Sequence, residues 1–167
     1  MVRVARKREF LIFARFFLAL FCAVAPCRAQ FSPEAPPGSA LSIPTDQLIQ
    51  PEALNRFLVE ANSVGPVILQ VGSRVMFQQA HIAGSAYAGP GSQAEGLKLL
   101  ERKVAGLAKD RWIVLYCGCC PWNRCPNVGP AYHRLRNLGF TKVKVLYIAN
   151  NFGADWVNKG YLVDHGE

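Results

Sequence analysis

Residues 112–127 decide how this chain folds, because they join an apolar run to a dense group of thiols. The run Trp112-Ile-Val-Leu-Tyr116 leads directly into Cys117-Gly-Cys-Cys-Pro-Trp-Asn-Arg-Cys-Pro-Asn127, so four of the six cysteines fall within nine residues. The following residues, 128–138, have the pattern of a helix. A thiol between a buried strand and a helix N-terminus is placed for reactivity, since the helix dipole and free backbone N–H groups stabilise a thiolate.

The first 29 residues have the pattern of an export signal. A basic start precedes the short apolar stretch 16–25, and small residues then suggest a cleavage site near Ala29. The apolar stretch is too short to span a bilayer of roughly 30 Å. We therefore expect export to the periplasm or the medium, with membrane contact only through this signal. Lys7-Arg8 also resembles part of a twin-arginine signal, so the export route stays open.

The basic balance of the chain comes largely from this signal. The whole sequence has 19 basic and 11 acidic residues, but the part after residue 29 keeps 13 basic and 10 acidic residues, a net charge of +3. A charge this small gives little reason to expect a nucleic-acid partner.

The rest of the chain predicts one α/β domain. Residues 30–47 are rich in proline and predict an extended arm, and the domain then occupies residues 48–167. Helical spacing alternates with short apolar runs, which predicts a doubly wound parallel sheet with helices on both faces. Ligands bind beyond the carboxyl ends of such strands, which is where the cysteine loop lies. The predicted helices cover 51–61, 95–107 and 128–138, and the predicted strands 67–71, 112–116 and 143–148.

Taken in order, several segments resemble a single rhodanese domain from about Leu48 to Val163. Ala80-His-Ile-Ala-Gly-Ser-Ala86 resembles the stretch that follows the second strand of that family, and Ile113-Val-Leu-Tyr-Cys117 resembles the strand that ends in its catalytic cysteine. The resemblance continues through Leu138-Gly-Phe140, Trp156 and Gly160-Tyr-Leu-Val163. The active loop departs from the family because it is longer, and Gln70 and Arg74 stand in place of the family's aspartate and arginine.

The resemblance implies sulfurtransferase chemistry without a cofactor. A cysteine thiolate would take sulfane sulfur from a thiosulfate-like anion, carry it as a persulfide, and pass it to a thiol acceptor. Register at the strand end favours Cys117 as the nucleophile, whereas the five-residue spacing to Arg124 favours Cys119. Arg124 would pair with the anionic end of the donor. The remaining candidates for the loop that holds the anion are Gly118, Cys120, Trp122, Asn123, Cys125 and Asn127, with the backbone N–H groups at 127 and 128 as donors.

Three alternatives remain open. Cys117-Gly-Cys-Cys120 spells a C-x-x-C pair, which suits thiol–disulfide exchange with a redox partner protein. Four thiols also suit a soft metal such as Cu(I) or zinc, although one short loop is an unusual source for all the ligands. Finally, the longer loop is compatible with a catalytically silent member of the fold.

Overall fold

The computed structural model describes residues 40–60 and 65–167. The described residues form seven strands and five α-helices. The strands are β1 (Leu48–Ile49), β2 (Val67–Gln70), β3 (His81–Ile82), β4 (Ala86–Tyr87), β5 (Ile113–Tyr116), β6 (Val143–Leu146) and β7 (Val163–Asp164). The helices are α1 (Pro51–Glu60), α2 (Arg74–Gln79), α3 (Ala94–Val104), α4 (Val128–Asn137) and α5 (Phe152–Asp155).

Five strands form one parallel sheet in the order β1-β6-β5-β2-β4, with β5 at its centre. The two remaining strands, β3 and β7, pair antiparallel with each other. The predicted α/β parallel sheet is thus confirmed, and so are the main helices and strands to within a few residues. The sequence did not predict the short pair β3–β7 or helix α2.

Both faces of the sheet are covered, because side chains of β5 alternate between two cores. Ile113 and Leu115 lie in one core, with apolar side chains of α3 and α4. Val114 and Tyr116 lie in the other, with side chains of α1 and α5. Burial of one large aliphatic side chain contributes about 1.5–3 kcal/mol, so these two layers account for most of the stabilisation.

The described end of the predicted proline-rich arm is packed against the domain rather than extended. Ala40–Ser42 and Thr45–Gln47 form two short 3-10 helices, and the side chains of Ala40 and Ile43 are buried in the same core as α4. The Oγ of Ser42 also lies 2.9 Å from Nε2 of His133 on α4.

The predicted export signal, residues 1–29, lies outside the described residues. Among the helices of residues 40–60 and 65–167, none has the length and apolar character needed to cross a membrane.

Candidate functional site

The cysteine loop begins at the carboxyl end of β5, the central strand of the sheet. Tyr116, the last residue of β5, is anchored by its hydroxyl, which accepts a hydrogen bond from Ile82 N at 3.1 Å and lies 3.0 Å from Ser85 Oγ. Gly118 then turns the chain with φ 75°, and its carbonyl accepts a hydrogen bond from Phe152 N. A side chain at position 118 would place Cβ 2.6 Å from Cβ of Phe152, so only glycine fits this turn.

The turn brings the four thiols together. Cys117 donates to Cys119 Sγ at 3.1 Å, and the Sγ atoms of Cys119 and Cys120 lie 3.0 Å apart. The sulfurs of Cys117, Cys119 and Cys125 all lie within 4.8 Å of one another. Cys117 and Cys125 are buried, with 3% and 6% of their surface exposed, whereas Cys119 and Cys120 are half-buried. Solvent therefore reaches the group from the side of Cys119 and Cys120, while the core covers Cys117 and Cys125.

Asn127 connects this group to the neighbouring loop. Its Oδ1 accepts hydrogen bonds from Ser92 N at 3.1 Å and from Ser92 Oγ at 2.8 Å. This pair of bonds fixes the side-chain amide, so that Nδ2 donates to Cys117 Sγ at 3.3 Å and points toward Cys119 Sγ at 3.8 Å. Asn127 is itself buried. A buried amide held in one orientation is a preorganised donor for negative charge on sulfur.

The start of helix α4 supplies further donors, and in this structure they face a thiol of the loop. The sequence predicted that the backbone N–H groups of Asn127 and Val128 would bind an anionic substrate. In the structure these two groups donate to Cys125, the last thiol before the helix. The helix start therefore stabilises a sulfur of the protein itself.

The hydrogen bonds between the thiols separate their acidities. Donation from Cys117, and then from Cys125, lowers the pKa of Cys119 well below that of an ordinary thiol. Donation to Cys119, together with burial, raises the pKa of Cys117. Burial, followed by the hydrogen bond to Cys119, raises the pKa of Cys120 to about 12. For Cys125 the hydrogen bond with Cys117 lowers the pKa. Its hydrogen bond with Cys119 and its burial act in the opposite direction and outweigh this, so the pKa of Cys125 is raised. Negative charge is therefore concentrated on Cys119.

Cys119 also lines a cavity of ≈ 470 Å³ beside the loop. Arg74 borders this cavity. Its guanidinium carbon lies 4.5 Å from the centre of the Tyr87 ring, and the guanidinium forms an ion pair with Glu167. Cys117 is not among the described residues that line it. The other residues of its wall include Ser73, Tyr87, Pro90, Ser92 and Asn127.

Gly72 makes room for the buried thiol. A Cβ at this position would lie 2.9 Å from Cys117 Sγ and 2.8 Å from Nε2 of Gln70. Gln70 is buried at the end of β2. Its Oε1 accepts a hydrogen bond from Gly72 N, and its Nε2 donates to the carbonyl of Cys117. Gln70 thus links the end of β2 to the residue that follows β5.

The other predicted site residues lie on the outer part of the loop. Asn123 and Arg124 are exposed, and Arg124 is not among the described residues that line the cavity. Trp122 is half-buried against Tyr147, with ring centres 5.2 Å apart. Cys120 donates to the carbonyl of Arg124 at 3.6 Å. Their roles in anion binding stay predictions.

Sequence reasoning missed Ser92, Gly72 and the position of Arg74 in the wall of the cavity. Ser92 lies 35 residues before Asn127, and no local pattern links the two. Gly72 and Arg74 follow β2, and the order of the strands would have been needed to place them beside β5.

Comparisons with solved structures give the same fold. The solution structure of the rhodanese-like domain of the Alr3790 protein from Anabaena sp. is 22% identical over 71% of this chain and 79% of that chain, with a TM-score of 0.52. The crystal structure of the BH2092 protein from Bacillus halodurans is 20% identical over 71% and 76% of the two chains, with a TM-score of 0.54. This chain therefore has the rhodanese-like fold.

A third similar structure contains a persulfide on one of its own cysteines. It is a variant of EanB with a cysteine persulfide, in a tetrahedral intermediate state with ergothioneine. It is 21% identical over 71% of this chain but only 28% of that chain, with a TM-score of 0.52. No protein-family model matches the sequence, and the comparison with curated proteins finds no match.

Proposed function

We propose that this protein is a sulfurtransferase that carries sulfane sulfur as a persulfide on Cys119. The observation that carries the proposal is the position of Cys119 Sγ, which receives hydrogen bonds from its neighbours and also lines an open cavity. Cys117, which strand register favoured, is buried beneath it. A similar structure, a variant of EanB, bears a persulfide on a cysteine, which is consistent with the chemistry proposed here.

The reaction has two steps. The Cys119 thiolate attacks the outer sulfur of a thiosulfate-like donor, the S–S bond of the donor breaks, and sulfite leaves with the electron pair. The protein then holds a Cys119 persulfide anion. A thiolate acceptor attacks the outer sulfur of this persulfide, which regenerates the Cys119 thiolate and leaves the persulfide on the acceptor.

The residues around the sulfur have separate tasks in this scheme. The amide of Asn127 and the thiol of Cys117 donate hydrogen bonds to the anion in both steps. Arg74 borders the same cavity and carries the positive charge that an anionic donor needs. We therefore assign the binding of the sulfonate end to Arg74, which lines the cavity and would exchange its pairing with Glu167 for the anion, in place of Arg124, which is not among the described residues that line it.

The test locates the persulfide after the first step, with a sulfur donor but no acceptor present. The reduced protein is treated with thiosulfate, and mass spectrometry of its peptides identifies the cysteine that gains 32 mass units, the mass of one sulfur atom. We expect the added sulfur on Cys119, its loss in Cys119→Ser, and its retention on Cys119 in the matched variant Cys120→Ser. Sulfur found on Cys117, or retained in Cys119→Ser, would refute the assignment. Thiosulfate:cyanide activity of the same variants gives a second readout.

Thiol–disulfide exchange is the second candidate, and the short sulfur–sulfur distances favour it. Cys119 has two other sulfurs within 3.1 Å. A neighbouring thiol can form a disulfide with Cys119 when the disulfide of a redox partner protein is reduced to two thiols in exchange. Titration of free thiols in a series of dithiol redox buffers separates the two candidates. A disulfide that forms reversibly, in a protein without sulfur transfer, would favour exchange.

We also propose that the protein acts outside the cytoplasm, because its first 29 residues have the pattern of an export signal. Its partners would be a small sulfur-containing anion and a thiol acceptor. N-terminal sequencing of the protein recovered from its native cell tests the proposal. A mature chain that begins near Gln30 supports it, and an intact Met1 in the cytoplasmic fraction contradicts it.

A further inference from the structure

We propose that Cys117, Cys119 and Cys125 form a three-sulfur binding site for a soft monovalent metal ion of the Cu(I) class. All three residues lie in the one loop between β5 and α4, and the turn at Gly118 helps bring their sulfurs into one group. The inference rests on this geometry alone, and it holds whether or not Cys119 transfers sulfur.

The distances between the sulfurs suit a three-coordinate ion. An ion bonded to three thiolates at about 2.3 Å holds the sulfurs about 4 Å apart. The sulfurs of Cys117 and Cys119 are 3.1 Å apart, and the three sulfurs all lie within 4.8 Å of one another. Each therefore needs to move by less than about 1 Å, which side-chain rotation provides.

The surroundings of the three sulfurs are built for negative charge. Asn127 Nδ2 faces both Cys117 and Cys119, while the backbone N–H groups of residues 127 and 128 donate to Cys125. All three sulfurs thus have a donor from the first residues of α4 or its cap. Ser92 in turn fixes the amide of Asn127 through two hydrogen bonds. Outer hydrogen bonds of this kind orient metal ligands and preorganise the site.

The kinds of ligand select the class of metal. The group consists of thiols alone, with neither histidine nor carboxylate among its three members. Soft thiolate ligands favour Cu(I) and zinc, but structural zinc sites almost always use four ligands. The fourth loop thiol, Cys120, lies within hydrogen-bond reach of Cys119 and Cys125 but is not in the group whose three sulfurs all lie close to one another. Three sulfurs therefore favour Cu(I).

Binding requires no redox step. Cu(I) enters through the cavity that Cys119 lines, and three Cu–S bonds form while each thiol that becomes a ligand releases its proton to the solvent. Copper keeps its oxidation state throughout. Because Cys119 is shared, a bound ion would block attack on a sulfur donor.

The experiment titrates Cu(I) into the reduced protein under anaerobic conditions, in competition with the coloured chelator bicinchoninate and with ascorbate present. No sulfur donor is added, so the result is independent of sulfur transfer. We expect one equivalent to bind, with an affinity reduced more than about 100-fold in Cys125→Ser, since loss of a ligand exceeds the usual effect of an outer contact. The matched variant Cys120→Ser should retain the affinity of the unmodified protein.

X-ray absorption of the copper-loaded, unmodified protein gives a readout that does not depend on the folding of a variant. Three sulfurs at about 2.3 Å from copper are expected. Two sulfurs around copper would overturn the proposal. So would equal affinity in Cys125→Ser and the unmodified protein, or an equal loss in Cys120→Ser and Cys125→Ser.

Discussion

Replacement of Asn127 by leucine should raise the pKa of Cys119. Leucine has the branched shape and the same number of side-chain heavy atoms as asparagine, but lacks the amide that faces Cys117 Sγ at 3.3 Å and Cys119 Sγ at 3.8 Å. A hydrogen bond to a charged group contributes about 1.5–3 kcal/mol, and the long contact to half-buried Cys119 places this one at the lower end. About 1.4 kcal/mol corresponds to one pKa unit. The structure therefore predicts an increase of about one unit.

The sign of the effect follows from the charge. The amide stabilises the thiolate, so its loss favours the thiol and moves the midpoint of thiolate formation to higher pH. The rate of alkylation by iodoacetamide, measured across pH on the Cys119 peptide by mass spectrometry, reports this midpoint. Below it, the reactive fraction should fall about tenfold in Asn127→Leu.

Asn123→Leu is the matched control, because Asn123 is an exposed asparagine of the same loop. Its alkylation midpoint should equal that of the unmodified protein. The reasoning would be refuted by an unchanged midpoint in Asn127→Leu, or by an equal increase in both variants. Either result would mean that the amide does not stabilise the sulfur.

Two further predictions concern stability, measured by urea unfolding. Gly118→Ala should destabilise the fold by roughly 1–3 kcal/mol more than Gly84→Ala, because both glycines have positive φ but only the new Cβ at 118 meets Phe152, at 2.6 Å. Equal losses in the two variants would contradict the close approach. Trp156→Ala should cost about 3–5 kcal/mol, since Trp156 is fully buried in its core. Val157→Ala is the control, because the neighbouring Val157 is partly exposed, and it should change the free energy of unfolding by about 0.5 kcal/mol or less. A loss in Val157→Ala as large as that in Trp156→Ala would argue against the packing described.

The parallel sheet could be predicted because its central strands are continuous apolar runs. Strands β2, β5 and β6 are covered on both faces, so nearly every residue in them is buried and most are apolar. The strands that escaped prediction, such as β3 and β4, have two residues each and are defined by their partners. No periodicity can appear in so short a segment.

The candidate site could be located from the sequence, but its internal order could not. Strand alternation places Cys117 on the same face as Ile113 and Leu115, which buries it within the core. Two residues further along, Cys119 has left the sheet and reaches the cavity. The spacing to Arg124 favoured Cys119 as the nucleophile, which stays a prediction, and Arg124 is not among the described residues that line the cavity. The role of the Asn127 side chain depends on Ser92, a partner that only the folded chain reveals.

The packing of residues 40–43 determines where the domain can be shortened. A chain that began at Leu48, the boundary suggested by sequence, would lose the buried side chains of Ala40 and Ile43 and the contact between Ser42 and His133. Loss of the isoleucine alone would remove about 1.5–3 kcal/mol of burial. Because these residues support the helix that begins beside Asn127, the truncation would also loosen the donors around the sulfurs. Recombinant versions meant for thiol chemistry should therefore keep residue 40 and those that follow it.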